Sequence, residues 1–284
     1  MNYRENRGLG FVIISVIYLL AAAAGVVSYI LLPFNRTINL LIADVTATVV
    51  TFVFSVIFGN ASVYDPYWSV QPIVILVAFF TVSEVSLSGI LIGVAVTYWG
   101  VRLTANWAYT FRGLNCQDWR YTMLKERTGK FYPVVNFLGI HLFPTLVVYL
   151  CVLPVVEVLT SAPQANVWSF VGFAISVCAV TLQLTADIQM HKYRKNRTGN
   201  FIRTGLWKYS RHPNYLGEIL MWWGVAVSAV FTVGGWYLIA GALVNTLMFL
   251  FVSIPMADKR QAKKDGFEEY KRQTRMLLPI CKKQ

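Results

Sequence analysis

An all-α bundle of about eight membrane-spanning helices is the architecture this chain predicts, and three observations predict it. Apolar residues make up 56% of the 284 residues and charged residues only 13%, with a mean hydropathy of +0.54, a balance far from that of a soluble domain. Apolar runs close to the ~20 residues that cross a bilayer recur along the chain. Lys and Arg gather in alternate loops, as they do in helices threaded back and forth through a membrane.

The runs place spans at residues 10–32, 37–58, 70–82, 85–108, 134–159, 167–186, 216–233 and 236–255. The third is short and admits a re-entrant segment, which sets the count between seven and nine. The first is longer than the core of a cleavable signal, and further spans follow at once. Cations stand in the N-terminal tail (Arg4, Arg7), after the fourth span (Arg112, Arg120, Lys125, Arg127, Lys130) and in the C-terminal tail. They are densest after the sixth span, from Lys192 to Arg211. The opposite loops hold almost none: Arg36 in one, Glu84 in the next, Gly234-Gly235 in the last. Eight spans put every basic loop and both termini on one side, the cytosolic one.

The net charge of +12 follows from that topology and from anionic lipid headgroups, so it implies no nucleic-acid partner. Part of the cluster between Arg194 and Arg211 is equally suited to an anionic ligand. Cys116, Cys151, Cys178 and Cys281 are scattered without a CxxC, and His141, His191 and His212 are dispersed. Neither a disulfide framework nor a metal site is expected. With no repeat, low-complexity tract or soluble segment, residues 1–284 read as one integral membrane domain.

Polar groups inside apolar spans are costly and mark function or packing. Glu84 and Glu157 lie at span ends, where headgroups and water receive them. Asp44 lies deeper, with Thr46 and Thr48 close by, and packing and chemistry both stay open for it. Asp187 ends a long apolar run, and at helical spacing it shares a face with Met190/His191 and Arg194. Asn214, Glu218 and Trp222 are spaced by four along the seventh span, behind Pro213, a residue suited to a first helical turn. Arg211 falls one turn earlier if the helix reaches back that far. Guanidinium, amide, carboxylate and indole in one stripe suit a nucleotide better than an ion; a polar interhelical network is the alternative.

In the fourth span, Tyr98, Arg102 and Asn106 are again one turn apart. The stretch Ala61-Ser62-Val63-Tyr64-Asp65-Pro66-Tyr67-Trp68 links spans two and three and sets an acid among tyrosines. An acid and a tyrosine at a pocket deliver a proton to a carbonyl oxygen, while the same aromatics serve an interfacial belt. No GxGxxG or Walker loop occurs, and Gly89 with Gly93 reads as helix packing. A nucleotide would therefore bind in a pocket built from loops and helix ends.

The run Gly205-Leu206-Trp207-Lys208-Tyr209-Ser210-Arg211-His212-Pro213-Asn214-Tyr215-Leu216-Gly217-Glu218 resembles the C-terminal signature of the steroid 5-alpha-reductase superfamily. It is most similar to a branch of polytopic bacterial and eukaryotic membrane proteins within it. Residues 61–68, residues 102–107 with Asp118-Trp119-Arg120-Tyr121, and the tail from Phe267-Glu268-Glu269-Tyr270 to Pro279 resemble that branch too. Asp258 departs from it, standing where Glu is usual. The resemblance implies NADPH-dependent reduction of a carbon–carbon double bond in a hydrophobic, enone-like lipid or steroid drawn from the bilayer. It implies cofactor contacts at Asn214, Glu218, Trp222, Asp187 and Arg194, with Arg102 on the phosphate side, in a cofactor-binding part from about residue 98 to 284. Asn106 and Arg211 join these on spacing. The proton-relay acid and tyrosine fall on Asp65 and Tyr98, with Trp99 competing for the second position. The substrate class runs from sterols and polyprenols to enoyl lipids, and the membrane is endoplasmic reticulum in a eukaryote or inner membrane in a bacterium.

Membrane methyltransferases of the isoprenylcysteine and phospholipid type are the rival, with S-adenosylmethionine in place of NADPH. They share an R-H-P-x-Y stretch and an acid-acid-Tyr tail, which Arg211-His212-Pro213-Asn214-Tyr215 and Glu268-Glu269-Tyr270 satisfy. Asn214 together with Glu218 belongs to the reductase signature alone and favours it. A transporter or scaffold with a buried polar network is the non-enzymatic reading, and no inverted repeat supports transport.

Overall fold

The computed structural model describes residues 4–197 and 199–279, so Cys281 lies outside the described residues. Helices and turns make up the fold, and among the described residues the β-structure is a single isolated bridge between Ser210 and Arg275. Eight helical stretches are long and apolar enough to cross a membrane, the number expected from the apolar runs.

Asparagine side chains start the first two helices. Asn6 accepts from the Leu9 amide to begin α1 (Arg7–Leu31), and Asn35 accepts from the Ile38 amide to begin α2 (Arg36–Ile57), each satisfying a donor the helix cannot. The third span is longer than its apolar run. A 3-10 turn over Ala61–Tyr64 leads through Asp65 and Pro66, both in right-handed helical conformation, into α3 (Tyr67–Phe80). The candidate span is thus Ala61–Phe80. Residues 61–66 link α2 to α3 as a 3-10 stretch and a turn at Asp65-Pro66, and Pro66 is tolerated there because it stands at a helix start.

After α4 (Leu87–Thr110) come α5 (Trp119–Thr128), α6 (Tyr132–Val135), a π-helical stretch over Asn136–Leu142, and α7 (Phe143–Ser161). The last four run on as a single stretch, Trp119–Ser161. A capping box between Asn166 and Ser169 opens α8 (Val167–Lys195). Pro213 opens α9 (Pro213–Thr232). A second continuous stretch, Trp236–Gln261, holds α10 (Ala240–Met248), a π-helical turn over Phe249–Ser253 and α11 (Ile254–Gln261), and α12 (Phe267–Gln273) closes the fold.

The chain packs as two compact units. One runs to Thr81 and includes Leu103–Leu153; the other holds Val82–Arg102 and the chain from Pro154 onward. In the first, Ile14, Ile17, Val63 and Leu114 form an apolar core, while Val12, Leu19, Val27 and Ile30 of α1 are exposed, as suits a face against lipid.

In the second unit, the pairing of α8 with α9 sets the site. A Cβ on Gly217 would collide with Gln183 and the Ala179 carbonyl, and one on Gly224 with Ser176 and the Gly172 carbonyl. Small residues on both helices let the backbones approach, and Ser176 donates to the Met221 carbonyl at 3.0 Å across the seam. Close approach is what brings Gln183 against Glu218.

Candidate functional site

Three helices of the second unit converge on one carboxylate. Glu218, in the second turn of α9, is 4% exposed. The Trp99 indole N–H on α4 lies 2.9 Å from both of its oxygens. Trp222, one turn along α9, donates to Oε1 at 3.2 Å, and Gln183 on α8 donates to Oε2 at 3.0 Å. Each helix contributes a pair at helical spacing: Trp99 with Arg102, Gln183 with Asp187, Glu218 with Trp222.

Arg102 stands between two acids. Its Nη1 is 2.6 Å from Asp187 Oδ2 and its Nη2 is 3.9 Å from Glu218 Oε2. Taking such charges out of water is costly unless they are paired and hydrogen-bonded, and each acid here shares the same guanidinium. Arg194 is exposed at the rim and within electrostatic reach of Asp187. Asp187 therefore makes its ion pair with Arg102, while Arg194, on the same helix face, stays at the rim.

Two polar atoms in this cluster are buried without a hydrogen-bond partner, Arg102 Nε and Gln183 Oε1. One is a donor and the other an acceptor. Asn214, in the first turn of α9, is half-buried and stands one turn before Glu218. Trp222, in the same stripe one turn further on, is enclosed. It is 2% exposed, its ring meets Trp99 edge-on at 4.9 Å, and its N–H is spent on Glu218.

Arg211 does not join the cluster. α9 begins at Pro213, and the Arg211 side chain turns to the tail. Its Nη2 meets Asp258 Oδ2 at 3.0 Å, and its Nη1 donates to the Thr274 carbonyl at 2.7 Å. His212 Nε2 lies 2.9 Å from the other Asp258 oxygen, with Tyr215 stacked on the imidazole. In α12, Tyr270 donates to the Trp207 carbonyl at 2.5 Å. Burial pushes the Tyr270 phenol up to about 12, against the opposing pull of Arg211 and Arg203. These contacts clasp the tail to the loop before α9. Nearby, burial and then Arg197, Arg260 and Arg194 hold the Lys264 ammonium below its usual range, which marks a concentration of positive charge.

The expected catalytic pair, Asp65 and Tyr98, is divided between the two units. Asp65 belongs to the first unit and accepts from the Tyr121 hydroxyl at 2.6 Å. Tyr98 belongs to the second, its hydroxyl 3.4 Å from that of Thr181. Trp99, the neighbouring alternative, is the residue whose side chain reaches the Glu218 cluster. Asn106 falls in the first unit, one turn beyond Arg102 on α4. Tyr121 and Gln183 were missed. Gln183 had a signal, as the sole amide one turn before Asp187 in an apolar run; Tyr121 had none beyond the tetrapeptide that contains it.

Among the described residues no cluster of three or more His, Cys, Asp or Glu is placed to hold a metal. Cys116 and Cys178 are exposed free thiols and Cys151 a buried one.

A Schizosaccharomyces pombe protein described as uncharacterized is 28% identical over 151 residues, a match covering 44% of this chain and 44% of that protein. The alignment thus spans less than half of that relative. No solved structure matches the chain. The family described as "Protein of unknown function (DUF1295)" matches over residues 51–274, most of the chain and all of the Glu218 cluster, and the chain belongs to that family.

Proposed function

We propose that this chain is an NADPH-dependent reductase of a carbon–carbon double bond in a hydrophobic, enone-like lipid, a member of the steroid 5-alpha-reductase superfamily. The observation that carries the reading is the Glu218 cluster: a buried carboxylate in an apolar helix, gripped by two indoles and an amide and flanked by the Arg102–Asp187 pair. Buried charge of this kind within a span marks a functional site.

The residues fit the cofactor. Arg102 Nε and Gln183 Oε1 are an unfilled donor and acceptor, the complement of a carboxamide or a ribose hydroxyl. Asn214 offers an amide at the N-terminal turn of α9, where anionic groups are favoured. Arg194, Arg197 and Lys264 supply the positive field for phosphates. In this assignment Glu218 is a positioning residue. Its oxygens are taken up by Trp99, Trp222 and Gln183, so it fixes the wall of the pocket and the pose of Arg102, while Arg102, Asn214 and Arg194 hold the cofactor. Bound NADPH supplies hydride to the β-carbon of the substrate. The chain must add one proton and keep bulk water away, which the apolar packing around Trp99 and Trp222 does on this side. With the basic loops cytosolic, the cofactor enters from the cytosol and the lipid from the bilayer.

Energy transfer from tryptophan to reduced nicotinamide tests the assignment in purified protein. NADPH should quench the protein emission saturably and more strongly than NADH, with Arg194→Ala weakening the effect. Absence of quenching by NADPH, together with stabilisation by S-adenosylmethionine, would replace reduction with methyl transfer.

A further inference from the structure

In the second unit, Asp258 on α11 gathers three N–H groups from two consecutive residues. Arg211 Nε is 3.4 Å from Oδ1 and Nη2 is 3.0 Å from Oδ2, and His212 Nε2 is 2.9 Å from Oδ1. All three side chains are largely buried. Arg211 and His212 are the last residues before Pro213 and Asn214, which open α9. His212 occupies the cap position, yet its side chain makes no cap hydrogen bond to the helix. The side chains at the start of α9 are thus fixed by Asp258 instead. From the other side, Tyr215 stacks on the His212 imidazole and meets the Phe249 ring at 4.9 Å.

The same arginine grips the tail. Arg211 Nη1 donates to the Thr274 carbonyl at 2.7 Å and lies 3.4 Å from that of Lys271. The Arg211 amide donates to the Arg275 carbonyl at 2.9 Å, beside the isolated bridge between Ser210 and Arg275. Ser210 and Thr274 are both buried. A guanidinium presents its donors in a rigid planar fork. Any movement of Arg211 that breaks its pair with Asp258 therefore misaligns its bonds to the tail, and lifting the tail removes acceptors from Arg211.

We propose that the tail from Phe267 to Pro279 is a latch on the first turn of α9, with Asp258 as the positioning residue that couples the two. With the tail seated, Asp258 and Arg211 hold the residues before Pro213 in place, and Asn214 keeps the pose that meets the cofactor. With the tail lifted, Arg211 gives up its carbonyl acceptors, its pair with Asp258 loosens, and the start of α9 shifts. Such coupling is reciprocal: a ligand held by Asn214 seats the tail by the same factor by which the seated tail tightens the ligand. That this ligand is NADPH rests on the reductase reading; the latch needs only a ligand that Asn214 holds.

Hydrogen–deuterium exchange of the full-length protein in detergent reads the tail directly, in the peptide that spans α12, where the Thr274 amide is bonded to the Tyr270 carbonyl. Saturating NADPH should slow exchange there about tenfold, a factor usual for coupled sites. In Asp258→Asn, NADPH affinity read by tryptophan quenching should fall about tenfold, and exchange in α12 should no longer respond to the ligand. Asp258→Glu keeps the charge and should recover both. A residue that only stabilised the fold would lower the melting temperature and leave the response of the tail to bound ligand in place. Should Asp258→Asn not fold, the wild-type comparison with and without NADPH decides alone. NADPH binding with unchanged exchange in α12, or an Asp258→Asn variant that keeps both affinity and response, overturns the latch and leaves the reductase reading standing. If S-adenosylmethionine slows the exchange and NADPH does not bind, the reductase reading falls and the latch stands. Protection by neither ligand overturns the latch.

Discussion

The Trp99 indole N–H lies 2.9 Å from each oxygen of Glu218, a bifurcated bond that ties α4 to α9. Glu218→Gln turns one acceptor into an NH2 group that faces indole donors. Leaving a buried donor unmatched costs about 1–3 kcal/mol, so the melting temperature should fall and the tryptophan emission should shift to the red. Unchanged emission would mean the indoles do not depend on the carboxylate.

Arg102 serves two acids, so removing it alone should be severe. Arg102→Met leaves Asp187 and Glu218 buried without their guanidinium, and breaking a buried pair from one side costs about 3–5 kcal/mol. Adding Asp187→Leu should recover part of that loss. Thermal unfolding of the single and double variants gives the coupling directly, and simple additivity would show that the pair contributes nothing as a pair.

Gly224 is a packing contact of the α8–α9 seam. Gly224→Ala pushes a methyl into Ser176 and the Gly172 carbonyl, and overpacking of this kind costs about 1–3 kcal/mol. Gly199 meets nothing within reach of a Cβ, but its positive φ makes it a poor control. Gly139, whose Cβ would only graze Val135, is the better one, and Gly139→Ala should leave the melting temperature nearly unchanged.

The Tyr270 phenol gives the tail clasp a pH dependence. Its folded value is raised from 10.0 to about 12 by burial. A raised value means that its contribution to stability is complete below pH 10 and is lost as pH climbs through about 12. Protease cutting between α11 and α12 should therefore accelerate in that window. In Tyr270→Phe the hydrogen bond to Trp207 is gone, so cutting should be faster at neutral pH and the alkaline step absent.

Much of this was legible in the residues. Span number followed from apolar length and cation alternation, because both are one-dimensional signals. The stripe of Glu218 and Trp222 followed from the period of one helix. What the sequence could not show was which helix supplies the partners. Asp187 and Arg194 share a face, yet Arg102 from another helix wins Asp187 because it is buried there while Arg194 stays in solvent. Tyr98 and Trp99 are adjacent, and a helical step of one residue turns a side chain through about 100°, so a one-residue ambiguity decides which of them reaches Glu218. Arg211 was placed in the stripe by counting back through Pro213, where the helix in fact ends. Asp44 was seen but not placed, since its partners, Tyr67 and Gln71, come from the third span.

The most direct measurement of the central claim is thermal unfolding of the detergent-purified protein with NADPH, NADH and S-adenosylmethionine, for the wild type and Asn214→Ala. The account predicts a rise in melting temperature with NADPH that exceeds the rise with NADH, none with S-adenosylmethionine, and loss of the NADPH effect in Asn214→Ala. A rise with S-adenosylmethionine alone, or no response to NADPH in well-folded protein, would contradict it.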